Sequence, residues 1–327
     1  MPELRKDPVL RRWVIISTER AKRPSDFANP ARPAPDDGKV CPFCPGNEHL
    51  TPPEITRRPA TGQWQVRVVP NRFPALTSEG EPVREGIGIY DKMAGIGAHE
   101  VIIDTPDHKL SLADLEPEAI AEVLWIFRDR YVALSADPRF RYVLVFKNHG
   151  SGAGASLVHS HCQLIATPVI PVQVKSELEG AEKYFRFRNR CIYCDMLKQE
   201  TEEKVRLIDQ NDHFVTFEPF APRSPFESWI LSRDHLGSLS EMSNTQVSTL
   251  GRSLKDILSR INRTLAGPDY NLVVHTAPTV DHCQEYYHFH IEIIPKLTTA
   301  AGFEMGSGFY INPVPPETAA RFLLQEN

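Results

Sequence analysis

The chain has 327 residues, 41% of them hydrophobic and 24% charged, with a formal net charge of −5. That balance is that of a globular chain with ample material for a core, and it argues against a basic nucleic-acid-binding surface as the main business. No apolar run approaches membrane-spanning length and the charged start Met1-Pro2-Glu3-Leu4-Arg5-Lys6-Asp7 is unlike a signal peptide, so the expectation is a cytoplasmic protein without membrane or nucleic-acid partners.

In chain order, Asp7 to Ile16 reads as a turn feeding a short strand. Glu19-Arg20-Ala21-Lys22-Arg23-Pro24 follows, on its own a solvated turn, and then a Pro-, Ala- and Asp-rich loop over about 25–40. Cys41-Pro42-Phe43-Cys44-Pro45-Gly46 is a tight knuckle able to give two thiolates to one ion. A strand over Trp64–Val69 runs into Pro70-Asn71-Arg72-Phe73-Pro74, and another over Glu100–Asp104 into Thr105-Pro106-Asp107-His108. A helix is predicted near Glu116–Ala136, with Ile120, Val123, Leu124, Phe127, Tyr131 and Leu134 on one face.

After a strand over Tyr142–Lys147 come the small residues Asn148 to Ser156, whose backbone amides can approach an anion. Then stands His159-Ser160-His161-Cys162-Gln163, followed by a strand over Gln163–Thr167. Histidines at i and i+2 of an extended chain point the same way. A glycine-rich turn beside such a pair suggests phosphate chemistry with an imidazole nucleophile; the plain alternative is a solvent-facing pair beside a flexible loop.

The second half repeats this order: Cys191-Ile192-Tyr193-Cys194, strands over Phe214–Glu218 and Ser228–Ser232, then Arg233-Asp234-His235. Ser243 and Gln246 have capping-box spacing at the start of a helix carrying Val247, Leu250, Leu254, Ile257, Leu258, Ile261 and Leu265, stopped by Gly267-Pro268. A strand over Asn271–His275 leads to His288-Phe289-His290-Ile291-Glu292. His108 to His159 spans 51 residues and His235 to His288 spans 53, each interval holding the same helix and strand behind a C-x-x-C. The reading is two copies of one α+β unit, antiparallel sheet with packed helices, divided in the charged stretch Lys175–Arg190.

The repeat proposes two Cys2His2 sets suited to tetrahedral zinc: Cys41, Cys44, His108 and His159, and Cys191, Cys194, His235 and His288. Closed sites of this kind are structural. If His159 binds metal, His161 is free to react. Its counterpart His290 has only Thr276-Ala277-Pro278 where the first half has glycines, so His290 is expected to have lost the nucleophile's role. Cys162 and Cys283 are expected to pack in the core.

Taken together, Arg20-Ala21-Lys22-Arg23-Pro24, Cys41-x-x-Cys44, Asn71, Thr105-Pro106-Asp107-His108, Phe146-Lys147-Asn148, Ser156, His159-x-His161-x-Gln163, Pro225-Phe226-Glu227, His235, His288-x-His290 and Gly302-Phe303-Glu304 resemble the galactose-1-phosphate uridylyltransferase family, a branch of the histidine-triad superfamily. The resemblance runs over about residues 5–315 and implies two tandem histidine-triad-like domains, 1–180 with the nucleophile and first zinc and 181–327 with the second. It implies a double displacement through a nucleotidyl-histidine, with a nucleotide sugar and hexose 1-phosphate as substrates, and a homodimer.

By motif position His161 is the nucleophile, Gln163 holds the phosphoryl oxygens and Ser156 donates to the phosphate. Asn148 and the Gly150–Gly154 turn, Gly152 included, assist. Arg20, Arg23, Asn71 and Phe73 match positions near the nucleotide, and Phe303 and Glu304 the region facing the hexose. Ser160 stands where many uridylyltransferases have proline. The related ADP-glucose phosphorylase branch shares H-S-H, the opening Leu4-Arg5-Lys6-Asp7-Pro8 and the ending Tyr310-Ile311-Asn312-Pro313. Uridylyl transfer to galactose 1-phosphate, the family's commonest activity, is the first expectation. Adenylyl transfer from ADP-glucose to phosphate is the second, and a hydrolase or a non-catalytic zinc scaffold are outlying alternatives.

Overall fold

Alternation of side chains along the strands sorts most of this chain onto the two faces of one central sheet. The computed structural model describes residues 1–17, 22–27, 40–279 and 283–325. β1 (Glu3–Lys6) and β2 (Trp13–Ile16) form a hairpin. β3 (Thr56–Arg58), β4 (Val66–Pro70), the hairpin β5 (Arg84–Ile87) and β6 (Tyr90–Met93), and β7 (Ala98–Ile103) follow. Helix α1 (Pro117–Ser135) leads to β8 (Tyr142–His149) and β9 (His161–Thr167).

Helices α2 (Val172–Arg188) and α3 (Ile192–Glu203) open the second half. β10 (Leu207–Gln210), β11 (Phe214–Phe217), β12 (Ser228–Ser232), helix α4 (Asn244–Leu265), β13 (Tyr270–His275) and β14 (His290–Pro295) complete it. A short α5 (Gly302–Ser307), β15 (Tyr310–Asn312) and α6 (Pro316–Leu324) end the described chain, with β15 parallel to β2. The charged stretch at which the sequence divides the chain is the helix α2, which turns Val174, Leu178 and Ala181 inward.

The two repeats do not keep separate sheets. Ten strands form one sheet in the order β10-β11-β12-β14-β13-β8-β9-β7-β4-β3, and the two halves of that order are matched strand for strand. β13 and β8 join them antiparallel, with Val273 opposite Phe146 and Val274 opposite Val145. The seam is therefore a local two-fold, along which Lys147 pairs with Leu272 on the core face whereas His275 pairs with His290 on the knuckle face.

One face of the sheet carries α1 and α4 over the main core, with Val68, Ile102, Cys162, Leu164, Ile230, Ile291 and Ile293 pointing into it. The helices approach closely at Gly251, where a Cβ would lie 2.8 Å from the Pro117 carbonyl oxygen. The opposite face bears the two Cys knuckles. Phe43, Trp64, Val69, Val101 and Ile103 cluster under the first, and Ile192, Tyr193, Val215, Phe217, Trp229 and Leu231 under the second. Cys162 packs in the main core and Cys283 in a smaller cluster with Tyr142 and Tyr287. Among the described residues no helix is long and apolar enough to cross a membrane.

Candidate active site and metal centres

Residues far apart in sequence meet on the knuckle face. Cys41, Cys44, His108 and His159 bring their ligand atoms within 4.8 Å of one another, as do Cys191, Cys194, His235 and His288. Cys44 Sγ lies 3.4 Å from His108 Nδ1 and 3.6 Å from His159 Nδ1, and Cys41 Sγ lies 3.5 Å from the latter. In the second group Cys194 Sγ is 3.3 Å from His235 Nδ1 and 3.6 Å from His288 Nδ1. A tetrahedral ion with bonds of about 2.3 Å to sulfur and about 2.0–2.1 Å to nitrogen requires S···N edges of about 3.5 Å. Both groups therefore have the dimensions of a metal site.

The far ring nitrogens fit the same reading. His159 Nε2 meets the Thr105 carbonyl at 2.8 Å, and His288 Nε2 meets the Ser232 carbonyl at 2.7 Å. Each N–H donates outward, which leaves Nδ1 with its lone pair toward the thiols. Burial and the neighbouring Cys41 push the Cys44 thiol up to about 11. A divalent cation is what would hold such a pair as thiolates.

His161 begins β9 beside the first group and is 6% exposed. Its Nδ1 is 2.8 Å from the His159 carbonyl oxygen. A carbonyl only accepts, so Nδ1 carries the proton and Nε2 is the free base. Burial, and after it the Lys147 ammonium, hold this imidazole below its ordinary value. Phe43, between the first two cysteines, packs edge-on at 5.3 Å.

Beneath the strand Lys147 is fully buried: its Nζ donates to Asp104 (2.6 Å), to Ser160 Oγ (2.9 Å) and to the His161 carbonyl (2.9 Å). Ser160 Oγ donates in turn to the Asp104 carboxylate at 2.9 Å, a bond that proline at this position would not make.

Gln163, two residues on, shares the face of His161. Its Oε1 lies 2.8 Å from Nε2 of His99, and Asn71 Nδ2 lies 3.0 Å from the same nitrogen. Gln163 and Asn71 thus meet at a histidine that sequence reasoning missed. His99 is on β7, 64 residues before Gln163, and its place in the strand alternation with Val101 and Ile103 is the signal that could have found it.

The glycine turn is built differently from the sequence expectation. Gly150 has a φ of 80° and packs against Asp269, whose carboxylate accepts from the Gly152 amide at 2.6 Å. A Cβ at Gly150 would overlap that carboxylate at 1.8 Å, so glycine here admits an acidic side chain from the other repeat. Asn148 Oδ1 accepts from Asn271 Nδ2 at 2.8 Å, a second tie across the seam. Ser156 is exposed at the end of the turn.

Phe73 is 82% exposed, and Asn71 Oδ1 accepts from its amide. Arg23 is exposed, its backbone amide bonded to Asp26, and Arg20 lies outside the described residues. Phe303 is exposed on α5, where Glu304 accepts from the Ala301 amide at 2.9 Å.

In the second half His290 repeats the local geometry of His161, its Nδ1 2.9 Å from the His288 carbonyl oxygen. Its surroundings are sealed. His275 stacks on it at 4.3 Å and 9°, Trp229 at 5.2 Å, and Tyr193 lies at 5.1 Å. His275 bonds Glu177 at 3.1 Å, and Arg223 pairs with Glu292. Burial alone would lower His275, but the two carboxylates outweigh it and raise it to about 10; burial and that cation lower His290 to about 4.

A paired-histidine strand with a free-base Nε2, set in a duplicated α+β sheet with two Cys2His2 groups, is an arrangement able to support group transfer. The family model described as galactose-1-phosphate uridyl transferase, N-terminal domain, matches residues 1–171, and that of the C-terminal domain matches residues 177–313. The chain belongs to the galactose-1-phosphate uridyl transferase family and is a nucleotidyltransferase.

It is 39% identical to the ADP-glucose phosphorylase of Arabidopsis thaliana, over 98% of this chain and 92% of that one. It is 30% identical to the galactose-1-phosphate uridylyltransferase of Thermotoga maritima, over 99% and 98%. Among solved structures, the Arabidopsis thaliana ADP-glucose phosphorylase with bound ADP-glucose superposes with a TM-score of 0.85 at 36% identity, covering 100% of this chain and 99% of that one. A uridylyltransferase superposes with a TM-score of 0.77 at 28% identity, over 99% and 97%.

Proposed function

We propose that this enzyme moves a nucleotidyl group from a nucleoside diphosphate hexose through a covalent intermediate on His161, with ADP-glucose as donor and inorganic phosphate as acceptor. The observation that carries the chemistry is the His161 Nδ1–His159 carbonyl hydrogen bond, which leaves Nε2 unprotonated. Nε2 attacks the α-phosphorus, the bond from phosphorus to the bridging oxygen breaks, and hexose 1-phosphate leaves with that oxygen. An acceptor phosphate oxygen then attacks the same phosphorus and the N–P bond breaks, returning neutral imidazole. Gln163 and Ser156 supply donors to the phosphoryl oxygens, the kind of positioning on which phosphoryl transfer depends.

Asn71 and Phe73 stand toward the nucleotide in this reading, with Arg20 and Arg23, Asn148 and the glycine turn; Phe303 and Glu304 face the hexose. Both Cys2His2 groups hold zinc, which supplies rigidity beside the reacting strand and takes no part in bond making.

The preference for ADP-glucose rests on the 39% identity to a phosphorylase against 30% to a uridylyltransferase. It departs from the first expectation, uridylyl transfer, which rests on that being the family's commonest activity. The uridylyl reading keeps its own support in a relative matched over nearly its whole length.

The test is to incubate the protein without acceptor with ADP-glucose or UDP-glucose labelled at the α-phosphate, then to count acid-labile label on the precipitated chain. Label chiefly from ADP-glucose, absent in His161→Ala at unchanged zinc content, is expected. Label chiefly from UDP-glucose moves the assignment to uridylyl transfer. Release of free nucleotide without acceptor indicates a hydrolase, and no label from either donor overturns the proposal.

A further inference from the structure

Both ring nitrogens of His99 are engaged, and together they leave one protonation pattern. The Ala75 backbone N–H donates to Nδ1 at 3.1 Å, so that nitrogen holds a lone pair and the neutral ring carries its proton on Nε2. Two groups stand at Nε2. Asn71 Nδ2, at 3.0 Å, is itself a donor, and its orientation is set because Asn71 Oδ1 accepts the Phe73 amide at 2.9 Å. Gln163 Oε1, at 2.8 Å, is the acceptor available. The ring proton therefore goes to the glutamine carbonyl.

A glutamine amide has an acceptor end and a donor end of nearly the same shape, and only its partners decide which way round it lies. We infer that His99 is a positioning residue that grips Gln163 by its carbonyl oxygen and thereby turns the glutamine NH2 to the face shared with His161. Phosphoryl oxygens accept hydrogen bonds and do not donate them, so the reversed amide would set oxygen against oxygen. Held as observed, Gln163 is a ready donor before substrate arrives. The backbone reinforces the arrangement: the Asn71 amide, just past β4, donates to the His99 carbonyl at 2.8 Å, and Gln163 on β9 lies two residues from the register partner of His99. The His99 backbone pairs with Ile165, placing its ring on the strand next to the glutamine it holds.

The role in turnover rests on the proposed nucleotidyl transfer, and the tests separate the two. Gln163→Ala is expected to slow labelling of His161 about 10²–10³-fold. His99→Phe, which keeps a ring and loses the N–H, is expected to slow it at least about tenfold, in the rate constant rather than in the donor KM. In the Gln163→Ala background the same His99→Phe change should cost nothing further, because a residue acting through Gln163 has nothing left to position. Equal losses in both backgrounds overturn the inference.

A second readout needs no activity. Nitrogen-15 shifts of the His99 ring in the nucleotide-free protein should show the proton on Nε2, and a proton on Nδ1 overturns the inference whatever the donor. Failure of the wild-type chain to take label from either nucleotide sugar counts against the proposed function; the ring shifts still decide the tautomer on which His99 depends.

Discussion

Phe43 packs on His161 at 5.3 Å and Tyr193 on His290 at 5.1 Å, each aromatic sitting between the cysteines of its own knuckle. Both histidines meet the carbonyl two residues back, at 2.8 and 2.9 Å. Duplication thus preserved the carbonyl contact that leaves Nε2 unprotonated, and the halves part company in what surrounds it. Beneath the histidine of the first, on the core face, Lys147 bonds Asp104 and the His161 carbonyl; beside that of the second, on the knuckle face, His275 stacks on His290 and pairs with Glu177. Where the first has the neutral donor Gln163, the second has Glu292, held by Arg223. One histidine, proposed as the nucleophile, stands beside a neutral amide, and its twin is locked into a buried charge cluster.

The sharpest break of this comparison is alanine at each histidine in turn. His161→Ala should lower label transfer by about 10⁴-fold or more, the scale of losing a nucleophile. His290→Ala should leave transfer per folded molecule within about threefold, the margin of an indirect effect on rate, and should instead depress the melting temperature. Comparable losses at both sites would contradict the division of labour.

Next in size are the buried ion pairs. Arg223→Met leaves Glu292 buried with only the His275 imidazolium, 3.5 Å away, and should cost about 3 kcal/mol in urea unfolding. Lys147→Met strands Asp104 and should cost a similar amount, with an added signature. His161 is held below its ordinary value by burial and then by Lys147, so the free base persists below pH 6.5 and the acid limb of labelling lies on that side. Without the ammonium the limb should move up in pH. Arg223→Met should leave it in place.

The pH dependence of stability also separates the halves. His275 is raised to about 10 in the fold, so its contribution is fully present below the unfolded histidine value and is lost as pH rises through about 10. Glu177 and Glu292 are lowered despite burial, chiefly by His275 and Arg223 respectively, so theirs is present above the unfolded carboxylate value and is lost as pH falls. The second half should therefore hold best from mildly acidic to neutral pH, and His275→Gln should flatten the alkaline loss in a pH series of unfolding curves.

The smallest effect concerns the paired helices. α4 starts with a complete capping box, Ser243 accepting from the Gln246 amide, whereas α1 starts at Pro117 without a side-chain cap. Ser243→Ala should cost about 1 kcal/mol. Glu116→Ala should stay within about 0.5 kcal/mol, as for an exposed change that removes no cap. Equal shifts in thermal unfolding would argue against the difference.

Much of this architecture is legible in the amino-acid sequence. Strand and helix periods place α1, α4, β12 and β9 to within two residues at each end, because each is long or strongly alternating. The knuckles and their histidines are legible as sets, since the repeat offers the same spacing twice. Helix α3 is not, because Cys191-Ile192-Tyr193-Cys194 reads as a knuckle while the residues after it lack a clear apolar stripe. The purpose of the glycines is hidden as well: Gly150 and Gly152 accommodate Asp269, an acid 117 residues beyond Gly152 that no local pattern connects to them.

By itself the sequence determined the duplication, the grouping of each cysteine pair with its two histidines, and the family, because spacing and residue type are properties of the chain. Tertiary structure alone decided the rest. It merged the halves into one sheet across β8 and β13, since ladder register depends on two edges meeting. It also set Lys147 under one histidine and stacked His275 on the other, and it turned His99 onto Gln163. Protonation and amide orientation depend on partners brought within hydrogen-bond reach, and these lie dozens of residues away along the chain.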